Sequence, residues 1–305
     1  MAMVLIALGG NIGDREANLQ TAVSELAATA GISQLVHSSF LETVAVGGPP
    51  DQPSFLNAAA RFECRFSPLS LAGELHEIEA RLGRNRGTRW DARTIDLDLL
   101  LYDDLVCRTH ELELPHPRMT FRRFVLQPAA EVAAELRIPS SRWTISQHLQ
   151  HLQQAPRLLA IAGGPLEQRA RVAQQVAAEL SGEYVDSPKD TGQATTESMH
   201  PHWQIVNGWT AETRLDMHDG FPGEGNSEFW LEDEFGPRPR VLAILQERVA
   251  SRHSSATQNQ PLAPISDTLA DSLTNFSGGG VLRLDADKPM VELVAEVVAA
   301  AQATE

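Results

Sequence analysis

Residues 84–102 read RNRGTRWDARTIDLDLLLY, and how this stretch divides decides how the chain around it is read. Its second half, TIDLDLLLY, is a short apolar run rich in β-formers, the mark of a buried strand. Side chains alternate across a strand, so Asp96 and Asp98 share one face while Ile95, Leu97 and Leu99 take the other. The first half sets four arginines (Arg84, Arg86, Arg89, Arg93) and Trp90 directly ahead of those acids. Two carboxylates held close repel unless a cation lies between them. Mg²⁺ takes oxygen ligands, commonly one or two carboxylates together with substrate phosphates. Guanidinium groups match phosphate through a bidentate fork. Acids, a divalent ion and arginines together equip a site for phosphoryl transfer. The competing account is a solvated charged loop, since a second D-x-D, Asp285 and Asp287, stands with no arginine cluster beside it.

Working outward, Val4 to Leu8 forms an apolar strand that runs into Gly9-Gly10-Asn11-Ile12-Gly13-Asp14. A helix follows, with Leu19, Val23 and Leu26 at helical spacing. Glycines between strand and helix either cradle a phosphate or serve a tight turn, and no Gly-Lys-Ser/Thr marks a P-loop. Residues 35–46 alternate as a strand, and the loop GGPPDQP (47–53) leads through SFLNAA into another that ends at Phe62. On residues alone the Asn57 amide reads as a loop side chain capping local backbone. Pro68 to Leu82 reads as a helix with Leu71, Leu75, Ile78 and Leu82 on one stripe and Glu79 on or beside the polar face. Past the acidic strand come LPHPRM (114–119) and FRRFVLQP (121–128), with a helix opening at Pro128. On residues alone His116 in the first motif reads as a capped turn and Phe124 in the second as a core residue.

RWDARTIDLDLLLY resembles the signature of 6-hydroxymethyl-7,8-dihydropterin pyrophosphokinase. ALGGNIGDREANL, DQPSFLNA, LPHPRM and RRFVLQP resemble that family's other motifs in the same order, over residues 3–150. Two departures stand out. Asp91-Ala92 replaces the usual Gly-Pro, and Thr43-Val44-Ala45 lacks a proline the family carries before its loop. The resemblance implies an α+β ferredoxin-like sandwich, with ATP as co-substrate and Mg²⁺ on Asp96 and Asp98. It implies ATP contacts at Glu79, Arg86, Trp90 and His116, and neutralisation of transition-state charge by Arg84, Arg93 and Arg122. Asn57, Phe55, Phe124 and Gly47 would take the pterin. The implied reaction moves a diphosphate from ATP to hydroxymethyldihydropterin, in folate biosynthesis.

The resemblance stops at about half of a chain of 305 residues, which is long enough for two domains. We place them at 1–153 and 157–305. Net charge supports the division: −4 over residues 1–156 against −11 over 157–305. A total of −15 argues against nucleic-acid or anionic-membrane binding. Cys64 and Cys107 lack metal-ligand spacing and read as buried thiols of a cytoplasmic protein. The opening MAMVLIALGGN has no basic leader and too short an apolar run to cross a membrane, so it reads as a strand.

In the second half, RLLAIAGG (157–164) and an Ala-rich helix from Glu167 to Leu180 resemble the start of a P-loop nucleoside or thymidylate kinase. RPRVLAIL (238–245) and GVLRLDAD (280–287) with its helix resemble later units of such a parallel-sheet α/β fold. Where the phosphate-binding lysine belongs, the chain has Pro165-Leu166-Glu167-Gln168, and neither of its two lysines, Lys189 and Lys288, is placed to substitute. The expectation is a domain without catalysis, available for a protein partner or self-association. Three functions stay open on residues alone: a diphosphotransferase, a binding scaffold of two degenerate enzymes, and a nucleoside kinase.

Overall fold

A computed structural model of the chain describes residues 1–49, 51–84, 92–186, 202–207, 239–246 and 280–305. Arg86, Arg89, Trp90 and Lys189 lie outside these described residues, as does the region around Trp209 and Trp230.

The first half is an antiparallel sheet covered on both faces. In order come β1 (Ala2–Gly10), α1 (Arg15–Ala28), β2 (Ile32–His37), β3 (Leu41–Thr43), β4 (Phe55–Cys64), α2 (Pro68–Arg81) and β5 (Asp96–Tyr102), then a separate short pair, β6 (Cys107–Arg108) and β7 (Glu113–Leu114). The strands lie in the order β2-β4-β1-β5, with β3 on the same edge of β4 as β2. The stretch 35–46, read as one strand, is therefore two, separated at Ser38 to Phe40. Helix starts follow local chemistry. Asp14 caps α1 by accepting from the Ala17 N–H, and Ser67 caps α2 with Pro68 in the first turn.

The alternation expected of TIDLDLLLY holds. Ile95, Leu97 and Leu99 pack with Val4, Ile6, Leu8 and Phe62 beneath α1 and α2. Leu5, Ala59 and Leu100, on the opposite face, pack under α3 (Arg123–Ala133) and α4 (Ile145–Gln154). Helix α3 begins five residues before Pro128, which sits inside it. The ring costs one hydrogen bond there, yet the apolar stripe Val125, Leu126, Ala129 and Ala133 is buried and offsets it. Arg122 and Phe124 consequently flank the start of a helix rather than a loop.

The second half is a parallel sheet: β8 (Leu158–Gly163), β9 (Glu183–Val185), β10 (Gln204–Asn207), β11 (Val241–Gln246) and β12 (Gly280–Asp285), ordered β12-β11-β8-β10-β9. Its inner strands β8 and β11 are apolar nearly throughout, as burial on both faces demands. Helices α5 (Leu166–Glu179) and α6 (Met290–Gln302) cover one face. Each half has its own core, and the two meet: Phe121, at the end of a 3₁₀ turn (Met119–Phe121), is buried in the core of the parallel half, with Val46 and Phe124 packed against it. The Arg123 N–H also donates to the Ala303 carbonyl at 2.8 Å. Among the described residues no helix is long and apolar enough to cross a membrane.

Candidate active site

Strand register builds the floor of a cleft of about 360 Å³. Asn57 on β4 pairs with Gly9 on β1, and Gly9 pairs with Asp96 on β5. One step along, Ala59, Ala7 and Asp98 form the next row on the same face. The central strand thus offers only Gly9 and Ala7 between an amide and two carboxylates, and that absence of side chain makes the depression. Gly9 and Gly10 are strand residues with no left-handed φ, so the tight turn expected of this glycine run comes later, at Gly13, whose φ is 72°. Gly10 is needed because a Cβ there would stand 2.4 Å from the Thr94 carbonyl oxygen. Asn11 ties the same corner, exchanging backbone and side-chain hydrogen bonds with Arg93 at 2.9 and 2.8 Å.

The cleft brings together Arg84, Arg93, Arg118 and Arg122 with Asp96 and Asp98. Arg84 reaches Asp96 at 2.6 Å, and Arg93 pairs with the other Asp96 oxygen. Burial raises the Asp96 carboxyl above its usual range and the adjacent Asp98 adds to this, against the pull of Arg93 and Arg84. His116 Nε2 lies 3.9 Å from Asp98. Burial, then the charges of Arg122 and Arg118, draws the imidazole down to about 3, so it is neutral at ordinary pH. Burial also lowers Arg122, to about 10, which leaves it charged. Its guanidinium stands 5.6 Å over the Phe124 ring.

Phe55, Phe124, Asn57 and Gly47 line the other end of the cleft. The Asn57 amide is held by donation to Thr43 Oγ1 at 2.9 Å. Gly47 and Gly48 have φ of 72° and 79°, left-handed values that suit glycine in this loop.

Glu79 departs from its expected place. It is 2 % exposed, on the buried stripe of α2 beside Leu75 and Ile78, and it does not line the cleft. Its carboxylate accepts the Leu97 N–H at 2.7 Å and pairs with Arg84. It therefore braces the arginine and the acidic strand from behind. Reading it onto the polar face failed because the periodicity of α2 does not show that a backbone N–H of β5 needs an acceptor there. Arg118, Ala7 and Thr43 carried no assigned role in the sequence, and Gly9 none at the floor of a cleft. Arg118 stands within the LPHPRM motif, while Ala7 and Gly9 matter only through cross-strand register.

A cleft so equipped belongs to the enzymes that transfer phosphoryl groups, which need positioned positive charge more than covalent chemistry. The chain is a member of one family of them, the 7,8-dihydro-6-hydroxymethylpterin-pyrophosphokinases (HPPK), whose signature matches residues 5–134. It is 40% identical over 148 residues to the 2-amino-4-hydroxy-6-hydroxymethyldihydropteridine pyrophosphokinase of Synechocystis, covering 48% of this chain and 75% of that protein. The Bacillus subtilis protein of the same name is 44% identical over 131 residues, which cover 43% of this chain and 78% of the relative. A wild-type Plasmodium falciparum HPPK-DHPS crystal structure overlays at a TM-score of 0.35 and 11% identity, over 80% of this chain and 64% of that one. So slight an overlap does not define a shared architecture. The family signature ends before β8, so it describes the antiparallel half.

Proposed function

We propose that the cleft transfers a diphosphate from ATP to 6-hydroxymethyl-7,8-dihydropterin, giving AMP and the pterin diphosphate for folate synthesis. The observation that carries this reading is the cross-strand row of Asn57, Gly9 and Asp96, which joins an amide-and-aromatic end of the cleft to its arginine-and-carboxylate end. The pterin lies between Phe55 and Phe124, its ring edge on the Asn57 amide, with the Gly47 loop over it. The nucleotide's phosphates lie on Arg84, Arg93 and Arg122, with His116 as a neutral donor. Arg86 and Trp90 belong to the same nucleotide site by resemblance. Glu79 acts on ATP through Arg84.

Asp96 and Asp98 suit Mg²⁺. They repel one another on a shared face, and among the described residues no group of three or more His, Cys, Asp or Glu side chains could hold an ion without help. Two carboxylates plus nucleotide phosphates match the way Mg²⁺ is commonly held. When bound, the ion neutralises phosphate charge. The protein's own residues hold the 6-hydroxymethyl oxygen in line with the β-phosphorus. A bond forms between them, the bond from that phosphorus to the α–β bridging oxygen breaks, AMP departs with the oxygen and the electron pair, and the hydroxyl proton leaves to solvent. The arginines stabilise the charge that moves onto the leaving group.

The order β2-β4-β1-β5 with α1 and α2 on one face supports a ferredoxin-like first domain over 1–153. The order β12-β11-β8-β10-β9 supports a P-loop-kinase-like second domain over 157–305, without catalysis and open to a protein partner. Free Cys64 and Cys107 suit the cytoplasm. The test is incubation with ATP, Mg²⁺ and hydroxymethyldihydropterin. AMP as product supports the reading, and ADP or no nucleotide product overturns it.

A further inference from the structure

Glu296 lies on the buried side of α6, among Leu293, Val294, Val297 and Ala300. A charge there is costly to bury, and an apolar residue would serve helix packing better. Its two oxygens are divided. One takes Lys288 Nζ at 2.7 Å, from the turn that precedes α6. The other takes Arg118 Nη2 at 3.2 Å, across the boundary between the two halves of the chain. Arg118 lines the catalytic cleft beside His116 and Arg122. The carboxylate therefore stands behind a cleft arginine much as Glu79 stands behind Arg84, except that it comes from the half of the chain the family signature does not cover.

Arg118 and Arg122 are like charges close enough that each disfavours its neighbours' positive form. Asp98 and Asp96 favour the Arg122 charge from within the cleft, and the Glu296 carboxylate meets the Arg118 charge from behind. The same helix also meets the loop over the amide-and-aromatic end. Gly47, Gly48 and Pro49 face Met290, Val294 and Glu296 across a second cleft, and Val46 packs against the core of the parallel half.

We propose that Glu296 is a positioning residue for the transfer reaction: it holds Arg118 toward the nucleotide's phosphates, so that the second half completes the ATP site of the first. This rests on the reading of the cleft given above. The test is initial-rate AMP formation by the full chain at saturating pterin and varied ATP, each variant kept well below its own melting temperature. Glu296→Gln raises KM for ATP about 3- to 10-fold, as expected for groups coupled by contact, while kcat changes less than about twofold. Arg118→Gln raises KM at least as much, and adding Glu296→Gln to it changes nothing further. Val297→Ala lowers the melting temperature but leaves KM for ATP within about twofold. Should Glu296→Gln not fold, Glu296→Asp replaces it, drawing the charge back by one methylene with the same direction of effect. An unchanged KM in the Glu296 variant overturns the proposal. So does an effect that multiplies with Arg118→Gln, or one that Val297→Ala reproduces. A wild-type chain that forms no AMP overturns the reading of the cleft as well, whereas an active chain with an unmoved KM overturns only the positioning role.

Discussion

Adjacent glycines on β1 give a sharp test of the cleft, because a methyl group added to each points to opposite faces of the sheet. At Gly9 the new Cβ stands 3.0 Å from Asn57 Oδ1, where ordinary contact begins at 3.4 Å, so the amide must retreat by about 0.4 Å. That movement stretches its 2.9 Å bond to Thr43 and shifts the group assigned to the pterin edge. Losing one such hydrogen bond to substrate costs about 0.5–1.5 kcal/mol, or roughly 2- to 12-fold in kcat/KM. Gly9 has no left-handed φ, so alanine brings no backbone strain. Replacing a strand glycine instead adds about 0.5–1 kcal/mol of stability through the unfolded chain. Gly9→Ala should therefore lose pterin kcat/KM while melting no lower than wild type. At Gly10 the methyl meets the Thr94 backbone oxygen at 2.4 Å, which no side-chain movement relieves. Gly10→Ala should cost about 1–3 kcal/mol in urea unfolding. Pterin kinetics within twofold of wild type in a folded Gly9→Ala protein would refute the assignment of that row as the substrate floor.

Asp98→Ala should abolish Mg²⁺-dependent AMP formation with little change in melting, because the side chain is 38% exposed; near-normal turnover would remove the metal assignment. Glu79→Ala strips the buried Leu97 N–H of its acceptor and should cost about 1–3 kcal/mol in urea unfolding, while an unchanged midpoint would argue against its bracing role. His148 is fully buried, hydrogen-bonds Ser141 at 2.6 Å and leaves Nδ1 without a partner; burial, then His151, draws it down to about 3 from 6.5. The unfolded chain accepts a proton at that imidazole that the folded chain refuses, so stability is present above 6.5 and declines as pH falls toward 3. Going from pH 7.5 to pH 5 should remove about 2 kcal/mol through this group. Unfolding of His148→Gln should be less pH-dependent by that amount, and an identical dependence would refute it.

The local character of most elements was written in periodicity. TIDLDLLLY declared a strand with acids on one face, the α2 stripe declared a helix, and the uniformly apolar RLLAIAGG declared a strand buried on both sides. Asp96, Asp98, Arg84, Arg93, Asn57, His116, Arg122 and Phe124 were all nameable from motifs, and all line one cleft. Such patterns are legible because they depend on neighbours within a few residues. The helix start at Arg123 was not, since Pro128 is a strong local signal overruled by burial of a whole stripe.

Most of the elements, the two-part division of charge and composition, and the chemical types that meet in the site were legible from chain order, whereas the split of 35–46 and the start of α3 were not. The folded chain alone settled that Gly9 and Ala7 lie between Asn57 and the aspartates, because pairing register is set by contacts between residues about 50 to 90 positions apart. It likewise decided that Glu79 faces inward and that Glu296 reaches Arg118. A carboxylate's role depends on which donors surround it, and those donors come from strands and helices that chain order does not bring together.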